Sequence, residues 1–388
     1  MLLLLLGRHA TWTSRTSNPI RTSLKSYSTK SSKPLRILFC GSDAFSTASL
    51  QALHHEQMRN PSSIASIDVL CRPGKKSGRG MRSIRPVPVQ TAAQALGLPV
   101  HERDTFTGWE LPKPNGEPIN LIIAVSFGLF VPPRILRSAE YGGLNVHPSI
   151  LPAFRGPAPI QHFLLSDATS TGVSLQTLDE KSFDHGIVLA RSDEIKREPD
   201  ASYADVLSCV TQEAATLLAR GIRDRLFESP PVEIDPPPMP DTIKNLHAPK
   251  IVPSDKCIDW TWSAESFARR YLALGSLWSM VPYPLRKPKR WIFDTVEAIQ
   301  ISDIASQLQR HTNDDRSSSP DASVLWRASP GGNEGMLVPS CKLSDSSIVF
   351  QTGSNEGVRV AGITVEGEKN RPAAIVLGEY LEQWDLNK

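Results

Sequence analysis

A chain of 388 residues with 40% hydrophobic content and a formal charge of only +3 excludes a disordered polyelectrolyte and leaves room for two folded domains, each with its own core. The charge is unevenly spread: residues 1–36 hold seven Lys or Arg and no acid, and without them the balance moves from +3 to −4, so any nucleic-acid contact has to use local patches. Five scattered cysteines, Cys40, Cys71, Cys209, Cys257 and Cys341, form no Cys-x-x-Cys pair, so neither a thiolate zinc site nor a disulfide framework is indicated.

In chain order, the run from Leu2 to Leu6 is too short to span a bilayer. The Ser, Thr, Arg and Lys that follow, with no acid before Asp43, have the composition of a mitochondrial transit segment, expected over residues 1–33. Leu35 to Gly41 reads as a buried strand, with Ser42 placed to cap a helix through Phe45, Leu50 and Leu53. A second strand is expected over Ile67 to Cys71 and a second helix over Val89 to Leu96. Ile119 to Val125 is a near-continuous apolar run, as in a central parallel strand, and Pro132 and Pro133 open a short helix through Leu136. A helix over Ala201 to Glu228 closes the domain. Alternating strands and helices predict a doubly wound, Rossmann-like α/β domain over residues 34–228. Its first turn, Cys40 to Phe45, lacks Gly-x-Gly-x-x-Gly, and no phosphate-binding Gly-x-x-x-x-Gly-Lys run exists, so no nucleotide cofactor is implied.

The Pro-rich stretch within residues 229–254 reads as an extended linker. A smaller domain over residues 255–388 is expected to hold a helix at Ala264 to Leu274 and short strands at Trp291–Ile292, Val296–Ile299, Ser347–Gln351 and Gly357–Ile363. Residues 302–334 and Gly108 to Glu117 read as mobile insertions.

Candidate chemistry concentrates after an apolar run at Gly143 to His147. Residues two apart in a strand share a side, so Asn145 and His147 emerge together, and Pro148 and Pro152 forbid further regular pairing. An amide that can hold a developing oxyanion beside an imidazole suits acyl-type transfer. Asp184 offers a carboxylate to orient the imidazole, with Asp179 as its competitor. Upstream, Arg72 to Arg85 carries six basic residues and no acid. A second basic run, Arg286 to Arg290, precedes Trp291.

Taken together, Asn145-x-His147-x-Ser149-x-Leu151-Pro152-x-x-Arg155-Gly156, Ala158-Pro-Ile-Gln161, Thr171-Gly-Val173 and Phe183-Asp184-x-Gly186 resemble the formyltetrahydrofolate-dependent formyltransferase family. The resemblance runs from about Leu35 to the C-terminus. It departs at Pro148, where many relatives carry Gly, and at His185, where Thr is common; His185 is read as a solvent-facing loop residue. The resemblance implies 10-formyltetrahydrofolate as formyl donor, with no metal. It implies Asn145, His147 and Asp184 as catalytic residues, and favours Asp184 over Asp179 because the motif sets the carboxylate just before x-Gly. It implies that Ser149, Ile150, Leu151 and Pro152 lie along the folate, whose apolar wall would come from Phe127, Leu129 and Ile150.

The basic loop corresponds to the family segment that enters a tRNA acceptor stem, with Arg79 the main contact and Lys75, Lys76 and Arg82 beside it. With a C-terminal domain expected to be an OB-like barrel that binds tRNA, this points to the α-amine of initiator Met-tRNA as acceptor, in a monomeric, membrane-free enzyme of the mitochondrial matrix. A small-amine formyltransferase, a formyltetrahydrofolate hydrolase and a non-catalytic RNA-binding protein on the same fold are the alternatives.

Overall fold

The computed structural model describes residues 33–385 apart from 78–79, 81–82, 284–285, 301, 303–321, 328–334, 344 and 353–355. The expected transit segment lies outside them, except for Lys33. From Pro34 on, the chain makes one compact unit that contains two large sheets.

The first sheet combines β1 (Leu35–Gly41), β2 (Ile64–Cys71), β5 (Val100–Glu102), β6 (Leu121–Val125), β7 (Gly143–His147), β9 (Ser174–Thr177) and β10 (Val188–Arg191). Their order is β10-β9-β7-β6-β1-β2-β5. Pairing is parallel from β5 to β7 and antiparallel where β9 and β10 extend the edge. Between β2 and β5 sits a hairpin of β3 (Lys75–Ser77) and β4 (Ser83–Arg85), and β8 (Ser170–Thr171) pairs with β11 (Ile195–Lys196). The chain runs outward from β1 to β2 and β5, then returns to β6 and β7 on the other side of β1. That reversal creates a crevice beyond the carboxyl ends of β1 and β6, where doubly wound sheets hold ligands.

The strands are apolar on both faces because long helices cover one and segments around Phe106, Phe127 and Ile135 cover the other. Ile37 and Phe39 of β1 pack with Leu121 and Ile123 of β6 in one cluster, while Leu38, Cys40 and Ile122 join a second cluster on the opposite face. The first cluster is roofed by α1 (Ala44–Arg59) and α5 (Tyr203–Arg223), with α2 (Pro88–Ala95) beside α1. Each buried Leu, Ile or Phe contributes about 1.5–3 kcal/mol. Burial raises the Cys40 thiol far above its ordinary value and, with Glu102 adding to it, pushes Cys71 to about 11, so both act as apolar packing groups at neutral pH. Asp43, not Ser42, caps α1 by accepting from the Ser46 N–H. Ser202 and Asp205 close a capping box on α5. The segment Gly108 to Glu117 is tied down by Trp109 and Leu111, which pack on the second cluster.

The chain between the sheets does not simply cross the surface. It forms a turn of helix, α6 (Asp241–Lys244), and then clamps the loop after β7. Leu246 O accepts from Phe154 N, and Ala248 bonds both Arg155 and Ala158. Beyond α3 (Pro133–Leu136) and α4 (Pro159–Leu165), helix α7 (Ala264–Leu274) begins the C-terminal part and packs on α4.

The second sheet is antiparallel. It contains β12 (Leu277–Tyr283), β13 (Arg286–Gln300), β14 (Ala322–Arg327), β15 (Gly335–Lys342), β16 (Ile348–Gln351), β17 (Glu356–Val365) and β18 (Asn370–Pro372), followed by α8 (Ala373–Asp385). The order is β12-β13-β17-β16-β15-β14, with β18 on β17. Two expected short strands are thus one long β13, and β14 occupies part of the stretch read as an insertion. Trp260 anchors this half. Its fully buried ring meets Phe267 of α7, Phe293 and Phe350 at 5.3–5.8 Å, and its N–H donates to Ser279 Oγ at 3.2 Å.

Trp260→Ala removes all of these contacts at once and is expected to cost about 3–5 kcal/mol, read from the denaturant midpoint. A shift worth less than about 1 kcal/mol would show that the ring is not what joins α7 to the sheet.

Candidate active site

Strand alternation sets the site. Leu144 and Val146 of β7 point into the core, which turns Asn145 and His147 to the other side. Both stand at the end of β7, where Pro148 stops the ladder. Across from them on β9, Gln176 faces Asn145 and Ser174 faces His147. The loop after β9 then brings Asp184 back over the strand ends. Asp184 sits at φ +58°, a left-handed conformation that Asp tolerates better than most residues. Gly186 makes the return possible, since a Cβ there would lie 1.7 Å from Thr177 O. Gly156 plays the same part on the facing loop, with φ +127° and Ala248 O only 2.4 Å from where a Cβ would be.

Asp184 is the meeting point. Its Oδ1 accepts from Asn145 Nδ2 at 3.0 Å and from Gln176 Nε2 at 3.3 Å, and its Oδ2 accepts from the Gly156 N–H at 3.1 Å. Arg155 Nε donates to its main-chain oxygen at 2.8 Å. His147 Nδ1 lies 3.4 Å from Oδ1. The other ring nitrogen, Nε2, is 3.0 Å from Phe154 O. A carbonyl oxygen only accepts, so Nε2 carries a proton, and in the neutral ring Nδ1 holds the lone pair. The three side chains singled out from the sequence therefore come together, and the imidazole is held with a basic nitrogen beside the carboxylate. Asp179 stands apart from this cluster on the wall of the same cavity: its Oδ1 accepts from the Lys181 and Ser182 N–H groups at 2.9 and 2.8 Å, and those bonds hold its carboxyl below the usual carboxylate range. His185 is exposed.

A cavity of about 530 Å³ opens beside these groups, lined by Asn145, His147, Asp184 and Gln176. The loop after β6 supplies Ser126, Phe127, Gly128, Leu129 and Phe130. It is bent by left-handed backbone at Ser126 and Gly128. Phe130 meets Phe183 edge-on at 5.3 Å, bringing this loop against the one that carries Asp184. Tyr203, at the start of α5, adds a phenol whose titration is raised by burial and by Asp43, so it stays a hydrogen-bond donor at neutral pH.

Phe127 and Leu129 thus line the cavity as expected, but Ser149, Ile150, Leu151 and Pro152 do not. Of that stretch the cavity wall takes only Pro148. The chain turns inward after Pro148. Ser149 Oγ donates to Ala153 O, Ser174 Oγ donates to Ser149 O and accepts from Leu151 N, and Ile150 packs on Gly172. These residues are consumed in building the turn that presents Phe154 O to His147. Gln176 was missed by the sequence reading, although Ser174 and Gln176 are polar residues two apart in a short strand, a signal that one face meets something other than core.

The basic loop forms the β3–β4 hairpin, with Lys75 paired to Arg85. Lys75 is exposed, Lys76 lies on the same strand, and Arg79 and Arg82 lie outside the described residues. In the second basic run, Arg290 stacks on Trp278 at 4.7 Å and Lys289 pairs with Glu368 at 3.3 Å, so part of that charge is used within the domain.

The proton placement on His147 is directly measurable. At a pH where the ring is neutral, long-range proton–nitrogen spectra should show the proton on Nε2. A ring carrying it on Nδ1 would contradict the bond to Phe154.

Residues 35–219 match the formyl transferase family. The mitochondrial methionyl-tRNA formyltransferase of Saccharomyces cerevisiae is 33% identical over 281 residues, covering 63% of this chain and 69% of the yeast protein. The methionyl-tRNA formyltransferase of Cereibacter sphaeroides strain KD131 is 33% identical over 62% of this chain and 74% of its own length. The human mitochondrial enzyme is 29% identical over 71% of this chain and 64% of its own length. Among solved structures, HypX from Aquifex aeolicus in complex with tetrahydrofolic acid aligns over 90% of this chain and 48% of its own, with TM-score 0.47 and 18% identity. The sugar 3N-formyl transferase WlaRD aligns over 85% of this chain and 98% of its own, with TM-score 0.48 and 11% identity. On the identity and coverage of the sequence relatives, the chain belongs to the methionyl-tRNA formyltransferase family.

Proposed function

We propose that this protein transfers the formyl group of 10-formyltetrahydrofolate to the α-amine of initiator Met-tRNA. The observation that carries the reading is the convergence of Asn145 and His147 on Asp184 at the wall of the cavity, in a chain whose relatives bear that activity in their names. The cavity suits a flat heteroaromatic donor. Phe127, Leu129 and Phe130 give it apolar walls, and the bent backbone from Ser126 to Gly128 offers peptide groups to a polar ring edge. Donor contacts are accordingly assigned to that loop rather than to Ser149–Pro152.

The residues divide the work as follows. Asn145 spends one N–H on Asp184 and has a second for the oxyanion that forms when the amine attacks the formyl carbon. Loss of such a donor typically costs roughly 10²–10³ in turnover. His147 takes the proton from the attacking nitrogen at Nδ1, and a group in that role is worth roughly 10²–10⁴. Asp184 faces the same nitrogen and stabilises the imidazolium that results. The new C–N bond forms at the amine, the bond to the donor's nitrogen breaks, and the electron pair and proton leave with tetrahydrofolate.

The acceptor end of the tRNA is assigned to the β3–β4 hairpin, which follows β2 on the ligand side of the sheet. Lys75, Lys76, Arg79 and Arg82 supply the charge for phosphates. Residues 34–228 are proposed as the catalytic domain, 229–254 as the connection and 255–388 as an RNA-binding domain. The close approach of β12 and β14, the two ends of the antiparallel sheet, supports an OB-like closure. The mitochondrial yeast and human relatives, together with the acid-free composition of residues 1–33, support action in the matrix.

The purified protein should convert 10-formyltetrahydrofolate to tetrahydrofolate only when charged initiator tRNA is present, with one formyl-Met-tRNA made per donor consumed, and Asp184→Asn should lose far more of this activity than Asp179→Asn. Formate released without tRNA would make it a hydrolase. Formylation of a small amine in preference to Met-tRNA would make it a small-amine enzyme. Equal losses at the two aspartates would remove Asp184 from its role.

A further inference from the structure

Gln176 is a polar side chain of the cavity wall whose state packing does not explain. It is 1% exposed and lies directly across from Asn145 in the β7–β9 ladder. Its Nε2 donates to Asp184 Oδ1 at 3.3 Å. That bond fixes the amide's orientation, because a carboxylate oxygen cannot donate. Its other end, Oε1, is buried and has no hydrogen-bond partner among the described residues. Folded proteins seldom keep such an acceptor, since it gives up water and gains nothing in return. A methionine would fill the same space without that cost. What the amide adds is the N–H aimed at Asp184.

We propose that Gln176 is a positioning residue for formyl transfer, holding the Asp184 carboxylate in the orientation that leaves His147 Nδ1 free to take a proton. The inference rests on the transfer reading and deepens it. Oδ1 has two in-plane lone pairs, and the N–H groups of Asn145 and Gln176 occupy both. His147 Nδ1, at 3.4 Å, is therefore close enough to be stabilised once protonated, yet is not required as a donor beforehand. Its Nε2 is already committed to Phe154 O. Without Gln176, one lone pair on Oδ1 opens, and the imidazole is the nearest group that can fill it. A proton resting on Nδ1 before reaction would block the step that needs that nitrogen as a base.

Gln176→Met keeps the length of the side chain and removes both donor and orphan acceptor. Losing one hydrogen bond to a charged group is expected to lower kcat roughly 10- to 100-fold, with KM for donor and for Met-tRNA unchanged. Tm should stay the same or rise, because the unpaired acceptor is gone. Gln176→Asn, too short to reach Oδ1, should show the same kcat loss and covers the case in which the methionine variant does not fold. A kcat within about threefold of wild type in folded variants, a change too small for a lost charged hydrogen bond, overturns the proposal. So does a kcat loss that tracks a fall in Tm, since Gln176 would then be structural only. Wild-type protein assayed alongside separates the two levels of failure: an inactive wild type sinks the transfer reading itself, whereas an active wild type with active variants sinks only the role of Gln176.

Discussion

Holding a nearly buried carboxylate in one orientation is the constraint on which the rest of this site depends. The Asp184 side chain is 11% exposed, and removing a carboxylate from water costs several kcal/mol unless donors replace the lost hydration. Here the donors come from separate stretches of chain: Asn145 from β7, Gln176 from β9 and the Gly156 N–H from the loop between them. Each arrives only if its own element is in register. The carboxylate therefore reports on the fold around it, and the fold in turn is arranged so that the charge can be kept.

The same dependence explains why the loop after β7 is so heavily bonded. Phe154 must present its carbonyl to His147, and Gly156 must present its N–H to Asp184. Neither position belongs to a helix or strand. The returning chain at Leu246 and Ala248 supplies the hydrogen bonds that a regular neighbour would have given. A segment that composition marks as a linker thus serves as a splint for the site. The doubly wound sheet supplies the remaining requirement, a crevice at the reversal of strand order into which β6 and β7 both deliver their carboxyl ends.

Much of this was legible from residue spacing, and the failures share a physical cause. The joint emergence of Asn145 and His147 follows from the two-residue period of a strand, and the structure has that period. Motif position puts Asp184 ahead of Asp179 in the sequence, and the folded turn adds the physical difference, that Asp179 Oδ1 is bonded by Lys181 and Ser182. Ser149 to Pro152 lie off the cavity wall, since nearness in sequence says nothing of direction once Pro148 ends the strand. For Gln176 the polar spacing with Ser174 shows in the sequence but its partner does not, since that is fixed by the β7–β9 register, a non-local choice. The cap of α1 slipped by one residue because Ser42 and Asp43 can both accept, and backbone geometry decides between them. β13 runs through Pro288 without a break. That end of the strand pairs only with β12, and β17 joins from Trp291 onward, so no second ladder needs the missing N–H.

If the carboxylate acts through the imidazole, the two should fail as one unit rather than as two. The direct measurement is a double-mutant cycle in single-turnover formyl transfer, comparing Asp184→Asn, His147→Ala and the pair. The double variant is expected to be slower than the worse single variant by no more than about threefold, as for residues that share one role. Losses that multiply across the cycle would mean that Asp184 and His147 contribute independently, and would contradict that shared role.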